Sequence, residues 1–227
     1  MPVTFLQMCQ QVRQETGLQG VGPVSVVAAI GEEKKIVDWV RAAWEEVQRL
    51  RSDWTFMQAD FSMTTEAGIM RYPLVATSGL DHLSKIYTDM VTARAVNDSR
   101  SAEATIHYID YPGWRRQYDV GIVAQGPVAG FSVAPGGDLL VFPKPDGGYV
   151  LRGCGRLRVQ HLADNNDVIR LDDEYVDVVK WRAVMMFAGF EEAAAIYQHA
   201  EINYNNIMRR MQIELLPPFD NYVEPLA

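Results

Sequence analysis

The sequence predicts an α+β protein: a helical bundle of N-terminal and C-terminal helices, with an inserted antiparallel β region and an extended C-terminal tail. Near both ends of the chain, apolar residues recur every three or four positions, as in helices. In the middle, alternating patterns are separated by turns rich in Gly and Pro. Helices and strands that are segregated along a chain favour an antiparallel sheet. The predicted divisions are N-terminal helices, β-rich insertion, C-terminal helical hairpin and tail, at residues 1–58, 59–170, 171–216 and 217–227.

Two helices are predicted before the insertion. Thr4 and Gln7 have the spacing of a capping box, and Gly17 is well placed just after the end of the first helix. Gly20–Ile30 is predicted to be a loop or extended arm. A bulky apolar stripe beginning after Glu32 predicts the second helix. Its members are Ile36, Trp39, Val40, Ala43, Trp44, Val47 and Leu50. We expect the tryptophans of this region to be core residues, with a ligand-stacking platform as the alternative.

The central region contains short strand patterns. Strands are predicted at Phe61–Thr65, Ile69–Tyr72, Thr105–Tyr108, Gly130–Ala134, Leu139–Phe142, Tyr149–Gly153 and Arg156–Gln160. The first two are expected to form a hairpin. A second hairpin is predicted at Pro143–Gly148, because Asp-Gly tolerates tight-turn conformations. Lys85–Thr92 fits a strand or a helix capped at Asp81, and the strand is favoured. Pro112–Tyr118 is predicted to be a short helix with Pro in its first turn.

Two further helices and a tail are predicted after a loop at residues 162–171. The first helix is expected to be capped by Asp172 or Asp173, and Gly189 is expected to join it to the second. Pro217 and Pro218 should end the second helix. The apolar face of that helix is predicted to comprise Ile196, Tyr197, Ala200, Tyr204, Ile207, Met208 and Met211. The tail is too short to form a core, so we expect it to dock on another surface.

Composition and charge exclude several classes of protein. The net charge of −8 disfavours free nucleic acid as the main ligand, because phosphate binding requires a basic face. Apolar runs such as Ala183–Phe190 are too short to span a bilayer, and Met1 is not followed by a secretory signal pattern. Cys9 and Cys154 form neither a disulfide framework nor a CxxC site. We therefore expect a protein made in a reducing cytoplasm, with no membrane partner.

No catalytic or metal-binding pattern is recognisable in the sequence. His82, His107, His161 and His199 lack metal-ligand spacing, and the GxSxG and GxxxxGK[ST] motifs are missing. The acidic residues between 164 and 173 lack the alternate spacing of a calcium loop, so loop and cap roles explain them better. We therefore predict that the protein is not an enzyme and needs no cofactor or metal.

Arginine clusters are the remaining candidates for a functional role. They are Arg115 with Arg116, then Arg152, Arg156 and Arg158, and lastly Arg209 with Arg210. Solvated faces, protection of sheet edges and complementation of a helix dipole are plain structural explanations. The functional alternative is pairing with acidic residues of a neighbouring subunit, and the sequence does not separate these.

A resemblance to a known family rests on four stretches in order. They are IVDWVRAAWEEVQRLRSDWTFM, GFSVAPGGDLLVFPKPDGGYVLRG, DNNDVIRLDDEYVDVVKWRAV and FEEAAAIYQHAEINYNNIMRRM. In pattern and order, from Phe5 to about Leu216, the chain resembles the head-to-tail adaptor (connector) proteins of tailed bacteriophages. It departs from them at residues 169–171, where such proteins often have prolines before the helix.

This resemblance implies a structural virion protein at the head–tail junction. The expected assembly is a ring of identical subunits, typically a dodecamer, that binds the portal protein, lies close to packaged double-stranded DNA and meets tail or neck proteins. In such proteins the C-terminal tail often docks on the portal. Here its apolar anchors would be Phe219, Tyr222, Val223 and Leu226.

Three alternatives remain open at this point. The chain could be another neck component, such as a stopper or tail-completion protein. It could be a small-ligand or glycan-binding protein that uses Trp54 and Trp114 for stacking. A sequence-specific DNA binder is disfavoured by the net charge.

Overall fold

The computed structural model describes residues 2–121 and 123–217 and confirms the α+β class. The predicted tail from Pro218 onward lies outside these residues. The described helices are α1 (Phe5–Glu15), α2 (Gly31–Leu50), α3 (Tyr111–Tyr118), α4 (Asp177–Phe190) and α5 (Ala194–Glu214), with 3₁₀ turns at Thr55–Met57 and Arg100–Ala102.

The described chain divides into two compact units. Unit 1 contains the residues up to Phe56 and those from Val159 onward, and it holds α1, α2, α4 and α5. Unit 2 is Met57–Arg158 and holds α3 and the strands. Residues 159–170, which the sequence grouped with the insertion, cluster with the helices of unit 1.

The N-terminal helices follow their sequence signals. The Thr4 hydroxyl accepts a hydrogen bond from the Gln7 amide, and the Gln7 side chain accepts one from the Thr4 amide, which confirms the capping box. Gly17 has a φ of 69° just after α1, where a left-handed residue is needed. The apolar face of α2 packs against α4, and the Trp39 ring lies 5.8 Å from that of Phe187.

The C-terminal hairpin differs from its prediction at both ends of α4. A turn precedes the helix, with the Asp172 carbonyl accepting from the amides of Tyr175 and Val176, so α4 starts at Asp177 and has no side-chain cap. The predicted cap at Asp172 or Asp173 is therefore wrong. The predicted joint is also wrong, because Gly189 lies inside the last turn of α4 and the chain reverses at Glu192, whose φ is 54°.

Helix α5 has the predicted buried face. Ala200, Ile207, Met208 and Met211 are buried, and the other predicted members are half-buried. The helix ends at Glu214, and Leu215 forms its C-terminal cap. Three residues therefore separate the end of the helix from Pro218.

The strands form three small sheets in unit 2. They are β1 (Gln58–Thr64), β2 (Arg71–Tyr72), β3 (Leu83–Ile86), β4 (Thr92–Ala95), β5 (Ala104–Thr105), β6 (His107–Tyr108), β7 (Gln125–Gly126), β8 (Gly130–Val133), β9 (Leu139–Phe142), β10 (Lys144–Pro145) and β11 (Tyr149–Leu157). The largest sheet has the order β1-β11-β4-β5, and β3 also pairs with β11. The second has the order β2-β9-β8-β6, and β7 pairs with β10. Pairing is antiparallel except for β6 with β8 and β7 with β10.

The strand β11 organises the largest sheet. One of its edges pairs with β1 along seven positions, from Gln58 with Arg156 to Thr64 with Val150. It also pairs with β4 near its start and with β3 near its end. The region 85–92 is therefore not one strand: it contains the end of β3, a loop at residues 87–91 and the start of β4. The two strands predicted at 149–153 and 156–160 merge into β11, which ends at Leu157.

Both predicted hairpins are wrong. The strand β2 pairs with β9 and not with β1. Pro143–Gly148 carries the chain from one sheet to another, where the Gly147 carbonyl accepts from Thr65 and the Gly148 carbonyl from the Val96 amide. A hairpin does join β8 to β9, and Gly137 at its turn has a φ of 92°.

The remaining local predictions hold with small changes. Helix α3 carries Pro112 in its first turn, as predicted. The strand predicted at Thr105–Tyr108 is divided at Ile106 between β5 and β6. Buried side chains such as Phe61, Leu83 and Phe131 form the core of unit 2.

Candidate functional site

An apolar groove lies in unit 1 at the C-terminal end of α5, and we call it the α5 groove. Its volume is about 510 Å³. Its apolar walls are Pro2, Phe56, Val168, Ile169, Leu171 and Leu215. Thr55, Arg170 and Asp172 complete the lining. Because Leu215 caps α5, the chain that continues beyond Pro217 starts beside the groove.

Hydrogen bonds fix the walls of the α5 groove. The Leu215 carbonyl accepts from the Thr55 amide at 2.9 Å and from the Thr55 hydroxyl at 3.1 Å. The Gln160 side chain donates to the Val168 carbonyl at 2.7 Å and accepts from the Arg170 amide at 3.1 Å. A β-bridge joins Thr4 to Val168. The groove is therefore preformed in the isolated chain.

Buried groups of α2 hold Gln160 in turn. The Gln48 side chain accepts from the Gln160 amide at 2.7 Å and donates to the Gln160 carbonyl at 3.1 Å. The indole of Trp44 donates to the Gln160 side chain at 3.1 Å. Since an unpaired buried amide is costly, these contacts favour a single position for the 168–171 wall.

The predicted docking residues Phe219, Tyr222, Val223 and Leu226 lie outside the described residues. No contact can therefore be assigned to them. One wall residue of the α5 groove, Leu215, comes four positions before Phe219 in the chain.

Arg152, from the second predicted arginine cluster, lies with Arg100 beside Glu103 in unit 2. Arg152 lies 3.8 Å and Arg100 3.9 Å from its carboxylate, and the Thr92 hydroxyl donates to it. The Thr92 hydrogen bond, followed by the nearby arginines, lowers the pKa of Glu103 below its usual value. Arg156 lies on the same face of β11 as Arg152, because side chains alternate along a strand. The sheet therefore presents basic side chains on one face.

Arg158 lies just after β11, where its Nε donates to the Leu83 carbonyl at 2.9 Å, and the remaining predicted arginines are on helices. Arg115 pairs with Asp119 at 3.2 Å on α3, and Arg210 pairs with Glu174 at 3.2 Å. Arg116 and Arg209 are exposed, and no ion-pair partner is found for either among the described residues. The structure thus distributes the predicted arginines over both units, and it does not gather them into one site within either unit.

The two units differ in charge. Unit 2 contains ten Lys and Arg residues and ten Asp and Glu residues, so its formal charge is zero. The whole net charge of −8 therefore belongs to the sequence of unit 1. Because an acidic surface attracts basic groups, unit 1 is suited to a basic partner surface.

A row of exposed apolar residues follows α1, and the sequence pattern had assigned no role to it. The valine arm, as we call it, presents Val21, Val24, Val27 and Ile30, which are 71–87% exposed. The arm is fixed at its centre, since Val26 is buried and its amide donates to the Asn165 side chain at 2.7 Å. Four large apolar side chains on an ordered loop mark a candidate interaction surface.

Comparison with known families identifies the class of protein. A family model described as SU10 adaptor protein matches residues 3–218. The chain belongs to the SU10 adaptor protein family. This confirms the resemblance to bacteriophage head-to-tail adaptors, and the role of such proteins is structural and not enzymatic. No curated protein matches the chain in a pairwise search.

Metal ligands and thiols are two kinds of group that could carry chemistry in this adaptor. Within residues 2–121 and 123–217, no group of three or more His, Cys, Asp or Glu side chains is placed to hold a metal ion. Burial raises the pKa of the Cys9 thiol to about 12, so it stays protonated and a poor nucleophile at neutral pH. Over the same residues, each helix is too short or too polar to cross a bilayer.

The glycan-binding alternative fails on the burial of its tryptophans. Trp54 is 0% exposed and its indole donates to the Val47 carbonyl at 3.0 Å. Trp114 is 6% exposed and stacks on Tyr111, with ring centroids 6.2 Å apart. Although Trp114 borders an open groove of about 700 Å³ in unit 2, neither ring presents a free face for a sugar.

Proposed function

We propose that this adaptor forms a head-to-tail ring in a tailed bacteriophage. Identical subunits would bind the portal protein, extend its DNA channel and present a platform to neck or tail proteins. The observation that carries this proposal is the family match over residues 3–218, which spans both units. A preformed helical and β scaffold suits a part whose task is to be held between other proteins.

The difference in charge between unit 1 and unit 2 supports a contact between neighbouring subunits. The acidic unit 1 of one copy would face the arginines of unit 2 in the next copy, among them Arg115, Arg116, Arg152 and Arg156. Arg209 and Arg210, at the end of α5, would face acidic groups of the opposite neighbour. Complementary charges of this kind fix the register of an interface more than its affinity.

The valine arm would contribute apolar contact area to the interface between neighbouring subunits. Exposed apolar residues lose contact with water when a partner covers them, which stabilises by about 25 cal/mol for each Å² buried. The net negative charge also suits a channel wall, because like charge keeps DNA phosphates from adhering as the DNA passes.

The C-terminal segment would anchor the ring to the portal. Phe219, Tyr222, Val223 and Leu226 are its large apolar residues, and each aromatic side chain that fills a pocket contributes about 1.5–3 kcal/mol. The contribution is repeated by every subunit of the ring. Particles made with the deletion of Asp220–Ala227 should fail to join heads to tails. Normal joining and DNA retention would remove the tail from the proposal.

The order of binding tests the role itself. The purified adaptor should bind isolated portal rings in the absence of every tail protein, and a tail protein should bind only after the adaptor has done so. An adaptor that binds tail proteins but not the portal would instead be a tail-completion protein. One that binds only to a preformed portal–neck complex would be a stopper.

A further inference from the structure

We infer that, before assembly, the α5 groove holds the C-terminal segment of its own chain, with Phe219 as the side chain that enters. The inference concerns the free protein and needs no portal, so it stands or fails separately from the proposed function.

Distance along the chain favours this occupant. Leu215 is a wall of the groove, and Phe219 follows it by four residues, which span at most about 14 Å when extended. Helix α5 ends at Glu214, and Pro217 cannot continue it because proline has no backbone N–H to donate. A tether of this length gives a high effective concentration.

The chemistry of the groove also matches the segment. Six of its nine lining residues are apolar, and Ile169 and Leu171 are buried already. Phe219 is the first large apolar side chain beyond the prolines, and Asp220 follows it. Arg170 at the margin of the groove would attract the Asp220 carboxylate, and Asp172 would repel it. Because these two effects offset each other, apolar contact contributes more to binding of the segment than charge does.

The consequence is a segment that exchanges partners. In the free chain the groove keeps Phe219 from water and from other copies. On the portal the same residues leave the groove and bind there, so the groove is then open for another protein of the neck. The free chain therefore exposes less of its apolar tail than its sequence suggests.

Disulfide trapping tests the inference directly. Val168→Cys places a thiol on the groove edge, and Asn221→Cys places one just beyond Phe219. Mild oxidation of this double variant should form a bond within one chain, and adding Phe219→Ala should reduce its yield by several-fold. The matched control is Ala195→Cys with Asn221→Cys, because position 195 lies about 30 Å along α5 from Leu215 and outside the reach of the segment. The native Cys9 is buried and does not compete, and the half-buried Cys154 is replaced by Ser in every variant, the control included.

Hydrogen exchange on the free chain gives a second measurement. Ending the chain at Pro217 should speed amide exchange in residues 168–171 several-fold and leave β11 unchanged, and Phe219→Ala should have the same effect. Unchanged exchange together with equal trapping in the test and control pairs would overturn the inference. Disulfide-linked dimers in place of bonds within one chain would also overturn it, since they would show that the groove takes the segment of a neighbouring copy.

Discussion

Gly79 shows how strongly a single residue can constrain this fold. Its φ is 86°, and a Cβ atom at this position would lie 2.2 Å from the Ser62 carbonyl oxygen of β1. The clash is with backbone, so no side-chain movement relieves it. Gly121 has a similar φ of 82° but nothing within 4 Å of the added atom. Alanine substitutions at the two glycines therefore distinguish the cost of backbone strain alone from the added cost of a steric clash.

Gly79→Ala should lower the free energy of unfolding by about 3 kcal/mol or more, because it adds a backbone clash to left-handed strain. Gly121→Ala should lower it by only about 1–2 kcal/mol, from the strain alone. Urea unfolding of the two variants measures both values. Equal losses would show that the loop at Gly79 moves freely away from β1.

Asp167 organises the loop that precedes α4. Its carboxylate accepts hydrogen bonds from the amides of Ala163 at 2.6 Å and Asp164 at 2.9 Å. These bonds, the Ala163 bond first, lower the pKa of Asp167 below its usual value. A carboxylate with a lowered pKa stabilises the folded state above its unfolded pKa, and this stabilisation is lost as the pH falls.

Asp167→Asn should lower the free energy of unfolding at pH 7 by about 0.5–1 kcal/mol, since the bonds remain but the charge is lost. The difference from wild type should begin to shrink as the pH falls through about 4, the usual pKa of an Asp in an unfolded chain, and should vanish only below the lowered pKa of the folded carboxylate. Asp164→Asn is the control and should have little effect, because the Asp164 amide still donates to Asp167. A difference that is independent of pH would contradict the assigned role.

At the scale of elements, the sequence predicted helix faces better than helix ends. The buried face of α5 was predicted residue by residue, because periodicity reports which side meets the core. The joint between α4 and α5 was misplaced because Gly189 looked like a helix terminator. The residue that adopts the left-handed conformation is Glu192, and nothing in its own chemistry marks it for that role.

Gly189→Ala should therefore raise the free energy of unfolding by about 0.5–1 kcal/mol. Gly189 is exposed within α4, and an added Cβ meets nothing within 4 Å. Thermal or urea unfolding measures the change, with Gly17→Ala as the opposite case, since Gly17 has a φ of 69° and should lose stability. A lower free energy of unfolding for Gly189→Ala would indicate that the chain reverses at Gly189 and not at Glu192.

The positions of the strands were predicted more successfully than the pairing between them. The alternation of Phe61 and Met63 correctly marks β1, but its partner β11 lies about ninety residues later in the chain. The turn at Asp146-Gly147 looked like a hairpin, and local sequence does not show that Thr65 and Val96 hold it instead. Pairing over such separations depends on the packing of the whole unit, which a local pattern does not contain.

For the candidate sites, as for the strands, the sequence indicated the residues but not how they are grouped in space. The arginine clusters stand out in the sequence, whereas their separation between two units does not. The α5 groove could not be predicted, because it joins residues near 2, 55, 170 and 215. The valine arm did have a signal, since four large apolar residues in a Gly-rich loop have no helical or strand face to fill.

At the scale of the molecule, the charge difference between the two units predicts how reversing the charge of one arginine affects stability and ring formation. Arg116 is exposed and has no ion-pair partner among the described residues, so Arg116→Glu should leave the free energy of unfolding within about 0.5 kcal/mol of wild type. The same variant should weaken ring formation on the portal, and more so at low salt, where charge is least screened. Lys34→Glu, on the acidic unit 1, is the control. Equal effects of both variants on the ring would remove the charge contact at Arg116.

The central claim is that this adaptor forms a ring on a portal. Native mass spectrometry of the purified chain, alone and with isolated portal rings but no tail protein, tests it most directly. We expect a mass increase equal to a fixed, ring-closing number of adaptor copies for each portal, and a smaller species in the absence of portal. A mass unchanged by portal, or copies bound without a fixed number, would contradict the claim.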